Sequence, residues 1–306
     1  MEKNKCFVVC EHLSIKIVYD NFFEEAVSLF CDGFSPYEGR VIDCTIFLHM
    51  NDTVTDGTDK LIRQMKNDTF VCYLCKSKAE LIKKVKQANI YFSLHDLTGS
   101  SGNPNYNIVY FFLTEIITRL LVDQGYCAYH ASSISKNGKA VVIMGESMSG
   151  KTTMSLQLAR KGYGYLGDDR LFIKNGQVFA YPKPLHIAHD TRHLFEADCS
   201  STRKKTGKSY VRFKDYIDEK SLVFSAKIAC VFLMDKEKIG LHKTQIKNMR
   251  GKLYGLNSLF YCEEEFPALL DSILAIDDIP VYIFTNGFDE YQIETIHQML
   301  SNVLLV

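Results

Sequence analysis

The sequence predicts an α/β fold in which a smaller α+β domain, residues 1–104, precedes a larger domain with a mixed β-sheet, residues 105–306. A glycine-rich run over residues 145–152 joins a short β-branched apolar stretch to a helix-compatible one. Two Asn-Gly pairs, Asn137-Gly138 and Asn175-Gly176, each separate strand-like runs. This pattern is the strongest short-range signal of an antiparallel hairpin, so the sheet is expected to be mixed rather than purely parallel.

The first domain is predicted from alternating strand and helix patterns. Strands are expected around Phe7, Ile17, Thr45, Val71 and Tyr91, and helices over 21–30 and 79–86. An amphipathic helix over 108–122 is expected to open the second domain, and it is too short and too polar to span a bilayer. Turn-forming and chain-breaking residues crowd into 96–104, which is therefore the predicted linker.

The glycine-rich run matches G-x-x-x-x-G-K-[ST], a loop whose backbone N–H groups cradle nucleotide phosphates. Its lysine can neutralise the β/γ charge, and the hydroxyl of the following threonine can bind Mg²⁺. The apolar run 140–144 and the helix pattern 152–161 supply the strand and helix that the motif requires. The residues predicted to contact the nucleotide, ATP with Mg²⁺, are Gly145, Glu146, Ser147, Met148, Ser149, Gly150, Lys151, Thr152 and Thr153.

The register of the first hairpin places a histidine at this loop. If Asn137 and Gly138 form a two-residue turn, Lys136 faces Lys139, and His130 then falls opposite the first glycine of the loop. Residues that face each other across a ladder are close neighbours. An imidazole there would lie at the mouth of the phosphate site; the alternative is an ordinary strand histidine in the core or on the surface.

Two adjacent carboxylates, Asp168 and Asp169, come after the helix pattern and before the second hairpin. Neighbouring carboxylates repel each other unless a cation lies nearby, and the Mg²⁺ of a nucleotide would supply one. For the pair alone, a solvated Asp-Asp turn is the alternative. Together with the loop, the pair favours a metal site.

The order of these motifs, His130-Ala-Ser, hairpin, loop, helix and Gly167-Asp168-Asp169, resembles the catalytic domain of HPr kinase/phosphorylase. The chain looks closer still to HPr-kinase-related kinases found beside peptide-modification genes, some of which phosphorylate a serine of a ribosomally made precursor such as a lasso precursor. The resemblance extends over residues 105–300. It includes Tyr181-Pro-Lys-Pro184 and two later strand patterns, 228–234 and 279–284.

This resemblance implies a P-loop domain of the HPr kinase/PEP carboxykinase type and an ATP-dependent kinase with a serine of a peptide or protein as acceptor. Asp168 would be the general base toward the acceptor hydroxyl, with His130 paired to it. Asp169 and Thr152 would hold Mg²⁺, and Lys151 would act on the transferred phosphate. The glycine- and arginine-bearing segment of true HPr kinase/phosphorylases has no counterpart here, so neither phosphorylase activity nor HPr as substrate is expected.

Two other functions stay open at the level of the sequence. A nucleotide-binding regulator or scaffold with slow hydrolysis would use the same loop, but such a switch needs no proton acceptor, so Asp168 beside a histidine favours the kinase. A small-metabolite kinase or carboxykinase would also fit, since the loop arrangement resembles that of phosphoenolpyruvate carboxykinases. These residues do not set the acceptor, the purine preference or the oligomeric state, and a homo-oligomer is one of the alternatives.

The composition limits the classes of partner and the compartment that are expected for this protein. The chain has 36 basic and 36 acidic residues, so no net field attracts nucleic acid or anionic lipid. The N-terminus shows neither a signal-peptide nor an anchor pattern, and the ten cysteines are expected as thiols in a cytoplasmic protein without a membrane partner. Cys72-Tyr-Leu-Cys75 has no second pair to complete a zinc site. The basic segment 203–208 is interpreted as a solvated loop rather than a lid over phosphates.

Overall fold

The structure is a computed structural model, and it describes residues 2–51, 58–98, 105–188, 191, 195, 208–235, 242–284 and 290–305. The predicted linker lies outside the described residues from 99 onward, and so does the basic segment up to 207. The chain forms two compact units, Met1–Gln124 and Gly125–Val306. The division thus falls after residue 124 rather than after residue 104, and the helix expected to open the second domain belongs to the first unit.

The first unit is built on one mixed sheet. Its described strands are β1 Lys3–Val9, β2 Leu13–Tyr19, β3 Ser35–Pro36, β4 Cys44–Met50, β5 Thr58–Lys66, β6 Thr69–Cys75, β7 Ser77–Ile82 and β8 Gln87–Phe92. They lie in the order β3-β1-β2-β4-β8-β7-β6-β5. The helices are α1 Glu24–Cys31, α2 Leu94–Thr98 and α3 Tyr106–Val122. Each strand predicted in this part of the chain and the helix expected over 21–30 are confirmed.

The helix predicted over 79–86 is wrong. These residues form most of β7 and a short 3-10 turn, Lys83–Val85. In β7, Ala79 and Leu81 are fully buried, whereas Lys78 and Glu80 between and beside them are half-buried. Burial that alternates in this way has the two-residue period of a strand. A stretch this short does not separate that period from the helical one by its apolar residues alone.

Helix α3 belongs to the first unit because of what its side chains contact. Fully buried Glu115 accepts two hydrogen bonds from the Arg63 guanidinium, at 2.6 and 2.9 Å. Arg119, four residues further along the helix, places its guanidinium carbon 5.2 Å from the centre of the Phe70 ring. Both partners lie on the sheet of the first unit, so the helix is bound to that sheet by charge and packing. The turn-forming residues of the predicted linker, 96–104, did not indicate that the helix packs on the first unit.

The second unit is also a mixed α/β structure. Its described strands are β9 Cys127–Tyr129, β10 Ala131–Lys136, β11 Lys139–Gly145, β12 Gly164–Gly167, β13 Leu171–Lys174, β14 Gln177–Phe179, β15 Leu185–Ala188, β16 Lys208–Val211, β17 Ser225–Met234, β18 His242–Gln245 and β19 Pro280–Phe284. The helices are α4 Lys151–Arg160, α5 Arg250–Asn257, α6 Phe266–Leu274 and α7 Glu290–Leu305. Within the ranges given above, the helices of both units are all too short or too polar to cross a membrane.

The main sheet of the second unit has the order β12-β10-β11-β17-β14-β13-β9, and β19 pairs with β17 and β18. Strands β11, β17 and β19 are parallel to one another, and their other pairings are antiparallel. The predicted mixed sheet is therefore confirmed. Buried side chains from β11, α4, β17 and α7 form one apolar cluster, which includes Val141, Ile143, Met154, Leu158, Phe232 and Leu300. This packing fixes the end of β11 and the start of α4 relative to each other.

Both Asn-Gly turns are confirmed. Asn137 and Gly138 have φ values of +54° and +73°, and the second Asn-Gly pair has the same signs, as a type I′ hairpin turn requires. In the first hairpin the pairing runs from Lys136↔Lys139 to Ala131↔Met144, which is the predicted register. The ladder ends one pair before the predicted pair of His130 and the first glycine of the loop.

A second antiparallel ladder of this sheet, formed by β9 with β13 and by β10 with β12, is interrupted beside His130, Asp168 and Asp169. Strand β9 pairs with β13 and β10 pairs with β12, and the pairs Tyr129↔Leu171 and Ser133↔Gly167 follow one continuous antiparallel register. Between these pairs the ladder is interrupted, which leaves residues 130–132 opposite residues 168–170. Ala131 and Ser132 still pair with β11 on their other side, but the backbone groups that face the interruption have no ladder partner there and need other ones.

Candidate functional site

The glycine-rich loop connects the end of β11 to the start of α4. Gly145, with φ +152°, has no room for a side chain, because a Cβ there would lie 2.7 Å from Ser149 Oγ and 2.9 Å from the Met234 carbonyl oxygen. Gly150, directly before α4, has φ +95°. The Ser149 N–H donates to the Glu146 carbonyl oxygen at 3.2 Å and closes a turn between the two glycines. Both glycines are thus required, one by close packing and both by backbone angles that other residues rarely adopt.

The loop carries groups suited to an anion. The buried Lys151 ammonium folds back and donates to the carbonyl oxygens of Gly145 and Glu146, at 2.9 and 2.8 Å. The Ser149 hydroxyl is buried and has no hydrogen-bond partner among the described residues. The first-turn N–H groups of α4 have no acceptor within the helix. A cation, a buried hydroxyl and a helix N-terminus together favour a phosphate at this position.

The Thr152 hydroxyl lies against Asp168, 3.0 and 2.9 Å from its two carboxylate oxygens. Asp168 is buried just after the end of β12. Burial raises the pKa of this carboxyl to about 6, and the charge of Asp169 adds to the effect. A threonine hydroxyl beside an ionised carboxylate is the kind of oxygen pair that Mg²⁺ prefers.

Asp169 is held in a strained turn. Its φ is +65°, and the Arg170 N–H donates to the Asp168 carbonyl oxygen at 2.8 Å, which is the three-residue pattern of a γ-turn with positive φ. Such strain persists only where the surroundings enforce it, and it concentrates at functional sites. The turn separates the two carboxylates, because Asp168 is buried against Thr152 while the Asp169 side chain is 40% exposed.

His130 occupies the break between β9 and β10. Its Nδ1 lies 3.2 Å from the Asp169 carbonyl oxygen and 3.5 Å from a carboxylate oxygen of the same residue. Burial, reinforced by the positive charge of Lys151, lowers the pKa of His130 to about 4, so the ring is neutral near pH 7. Because a carbonyl oxygen can only accept, Nδ1 carries the proton, and Nε2 is the basic nitrogen.

Lys183 was not among the predicted site residues. Its Nζ donates to Asp169 Oδ2 at 2.8 Å, and its side chain is only 4% exposed. Burial alone would raise the pKa of Asp169, but the charge of Lys183, aided by Arg170, outweighs it and holds that pKa well below its usual range. Asp169 is therefore ionised. The signal in the sequence was a lysine between two prolines, which indicates a rigid backbone but no particular partner.

Helix α5 and the turn after it were also missed. Fully buried Asn257 accepts a hydrogen bond from the His130 backbone N–H at 2.7 Å and donates to the Leu253 carbonyl oxygen at 2.6 Å. Phe260 packs edge-on to the His130 ring, with the ring centres 5.8 Å apart. The Arg170 guanidinium carbon lies 3.8 Å from the centre of the Phe260 ring. This segment thus replaces the ladder partner that His130 lacks and fixes its ring.

The pairing of these side chains differs from the one that the resemblance implies. Thr152 contacts Asp168, whereas His130 lies against Asp169. The resemblance pairs the same two residues with the opposite aspartates. The hydroxyl of Thr153 lies 2.9 Å from that of Thr191, and both residues are buried. A contact from Thr153 to a nucleotide would have to come from its backbone N–H.

The remaining predicted residues of the loop, Glu146, Ser147 and Met148, are exposed. In the described part of the chain, no three His, Cys, Asp or Glu side chains form a cluster that could hold a metal ion by themselves. The nine described cysteines are free thiols. Mg²⁺ needs only one or two protein oxygens beside the phosphates and waters of a bound nucleotide, and Thr152 with Asp168 fits that requirement.

No protein-family model matches the chain, and no curated protein matches it either. Among solved structures, the Hpr(Ser) kinase/phosphatase from Coxiella burnetii is similar at 16% sequence identity with a TM-score of 0.35. The similarity covers 58% of this chain and 96% of that one. A similarity this weak carries no argument about activity. Any proposal about activity therefore depends on the side chains around the loop.

Proposed function

We propose that the second unit transfers the γ-phosphoryl group of ATP, bound with Mg²⁺, to a hydroxyl group of a peptide or protein, with serine as the expected acceptor. The observation that carries this proposal is the division of the acidic pair. Asp168 contacts Thr152 of the loop, while Asp169 lies beside His130 and is half-exposed. One carboxylate is thus available to a metal ion and the other to a proton. The choice of a peptide or protein acceptor depends on the sequence resemblance alone.

The loop residues bind the triphosphate in this proposal. Lys151 exchanges its two carbonyl partners for β- and γ-phosphate oxygens, and the Ser149 hydroxyl gains the acceptor that it lacks. Thr152 and Asp168 would hold Mg²⁺, which would neutralise charge on the phosphate oxygens.

Asp169 receives the proton of the acceptor. As the acceptor oxygen forms its bond to the γ-phosphorus, the bond from that phosphorus to the β–γ bridging oxygen breaks, and the hydroxyl proton passes to the Asp169 carboxylate. His130 donates its Nδ1–H to the backbone carbonyl oxygen of Asp169 and so holds the turn that carries the carboxylate, whose Oδ1 lies 3.5 Å from the same nitrogen. Its raised pKa makes Asp168 the more basic of the two carboxylates, but it is buried and engaged with Thr152, so Asp169 is the carboxylate that an acceptor hydroxyl can reach.

The test is incubation with γ-labelled ATP, Mg²⁺ and candidate serine peptides, followed by mass spectrometry of the peptides. The expected result is a Mg²⁺-dependent peptide product that is one phosphate heavier. Lys151→Ala should weaken both nucleotide binding and transfer, whereas Lys161→Ala, in an exposed ion pair after the other end of α4, should retain both. Release of free phosphate without a phosphorylated product would instead favour the nucleotide-binding regulator. Phosphorylation of small hydroxylated metabolites but of no peptide would favour the metabolite kinase.

A further inference from the structure

We infer that Lys183 is a positioning residue of this site, whose buried ammonium group fixes the Asp169 carboxylate so that its other oxygen is turned toward His130 and the acceptor. The inference rests on the proposed phosphoryl transfer and adds a residue to it. The segment Tyr181-Pro-Lys-Pro184 is part of the sequence resemblance, but no role is assigned to Lys183 there.

The two oxygens of the Asp169 carboxylate have different partners. Oδ2 accepts a hydrogen bond from Lys183 Nζ at 2.8 Å, and Oδ1 lies 3.5 Å from His130 Nδ1. A hydrogen bond between two charged groups is among the stronger side-chain contacts, so Oδ2 is the anchored oxygen. The side chain of Asp169 is 40% exposed. Without the anchor, this carboxylate could turn into solvent and lose its orientation toward the acceptor.

The burial of Lys183 distinguishes it from an ordinary surface partner. In the pair of Lys161 with Glu294, at 2.7 Å, the two side chains are 33% and 44% exposed. The Lys183 side chain is 4% exposed, although removing an ammonium group from water is strongly unfavourable and lysine is rarely buried unless it is paired. The fold therefore keeps the Lys183 ammonium group out of water, at a cost in free energy, where that group restrains Asp169.

The backbone that carries Lys183 is also restrained. Pro182 and Pro184 flank it, and proline both fixes its own φ and restricts the preceding residue. Tyr181 forms a β-bridge with Gly167, and its N–H donates to the Leu166 carbonyl oxygen at 3.0 Å. The lysine segment is thereby attached to β12, the strand that leads directly into the two aspartates. Restraints of this kind hold a functional side chain at a fixed distance from its partner.

A double-mutant cycle tests the inference. It compares the parent protein with Lys183→Met, Asp169→Asn and the double variant, and Lys161→Met is the matched control for a lost lysine–carboxylate pair. Lys183→Met should lower kcat about 10²-fold through misplacement of the carboxylate, and the KM for ATP should change by less than about threefold because the loop is untouched. Asp169→Asn should lower kcat about 10³-fold. The double variant should be no slower than Asp169→Asn, since Lys183 acts through that residue. Lys161→Met should match the parent.

Lys183→Arg keeps the charge and should recover part of the activity, which also covers the case in which Lys183→Met does not fold. A folded Lys183→Met with the parental kcat would overturn the inference, and so would losses that multiply in the double variant. If the parent phosphorylates no acceptor at all, the proposed function fails, and the same cycle is measured on ATP hydrolysis with water as acceptor. The same non-additive pattern there would support Lys183 as a positioning residue, and its absence would refute it.

Discussion

The two units bury carboxylates in opposite ways. In the first unit, fully buried Glu115 meets the Arg63 guanidinium through two hydrogen bonds at 2.6 and 2.9 Å. In the second, buried Asp168 stands beside a second carboxylate and accepts its hydrogen bond from the neutral Thr152 hydroxyl. In the first case the buried negative charge contacts a positive charge directly. In the second, the carboxylate of Asp168 lies beside a like charge and accepts hydrogen bonds from a neutral hydroxyl, and Lys183 and Lys151 offset this only in part, since its pKa stays raised. This arrangement favours the binding of a further cation.

The difference shows how a local turn can give two identical residues different chemistry. Burial and the charge of Asp169 raise the pKa of Asp168 to about 6, whereas Lys183 holds the pKa of Asp169 below its usual range. The γ-turn at Asp169 is what directs the two side chains into these separate surroundings. Titratable neighbours whose pKa values are pushed apart are characteristic of acid–base sites, whereas a buried pair of opposite charges such as Arg63 and Glu115 is characteristic of structural support.

Exchanging each aspartate for asparagine should give the largest effect. Asp169→Asn is expected to lower kcat about 10³-fold with nucleotide affinity retained, because it removes the proton acceptor. Asp168→Asn is expected mainly to raise the Mg²⁺ concentration needed for half-maximal transfer. Both are measured as phosphorylated peptide against Mg²⁺ concentration. The reverse pattern would return the role of base to Asp168, as the resemblance implies.

Breaking the balanced pair of the first unit should act on stability instead. Arg63→Met leaves Glu115 buried without this partner and is expected to lower the free energy of unfolding of that unit by about 3 kcal/mol. Nucleotide affinity should not change, since the loop lies in the second unit. The measurement is denaturant unfolding together with nucleotide titration. Lys83→Met, which removes a more exposed ion pair with Asp123, is the matched control and should cost at most about 1 kcal/mol. Equal losses in the two variants would contradict the structural role of the buried pair.

The parts of the site that the sequence predicted are those set by neighbouring residues. The Asn-Gly turns fix their own hairpins, and the register predicted from Asn137-Gly138 is confirmed as far as Ala131↔Met144, the pair next to His130. The strand, loop and helix around Lys151 follow from local periodicity in the same way. These predictions needed no knowledge of which strands pair over long distances.

The parts that were missed depend on such distant pairing. Asn257 reaches the site because α5 lies beside the break in the sheet, and nothing in its local sequence indicates that position. Lys183 is placed by the bridge between Tyr181 and Gly167. The boundary between the units lies after residue 124 rather than after residue 104 for a related reason. The buried contact of Glu115 with Arg63 joins residues far apart in the chain. Local sequence patterns can show that the backbone at a residue is restrained, but they do not show which distant residue its side chain contacts.

The smallest predicted effect is a gain in stability. Asp168→Asn should stabilise the metal-free protein, because the pKa of Asp168 is about 6 in the fold against an ordinary value of 3.8. A carboxyl whose pKa is raised by folding contributes stability that is complete below the unfolded pKa and is lost as the pH rises through the folded one. Well above that folded pKa the variant should therefore be more stable than the parent by up to about 3 kcal/mol, and below the unfolded pKa the two should agree. Denaturant unfolding in the presence of a chelator, repeated across this pH range, measures the difference.

Mg²⁺ provides the control for this last prediction. Saturating Mg²⁺ should stabilise the parent but not Asp168→Asn, because a ligand stabilises only the form that binds it, and the charge that the ion compensates is carried by Asp168. Equal stability of parent and variant at every pH, or equal stabilisation of both by Mg²⁺, would mean that the chain itself already balances this carboxylate, as Arg63 balances Glu115. The contrast between the two units would then lose its physical basis, and the assignment of Asp168 to the metal would fail with it.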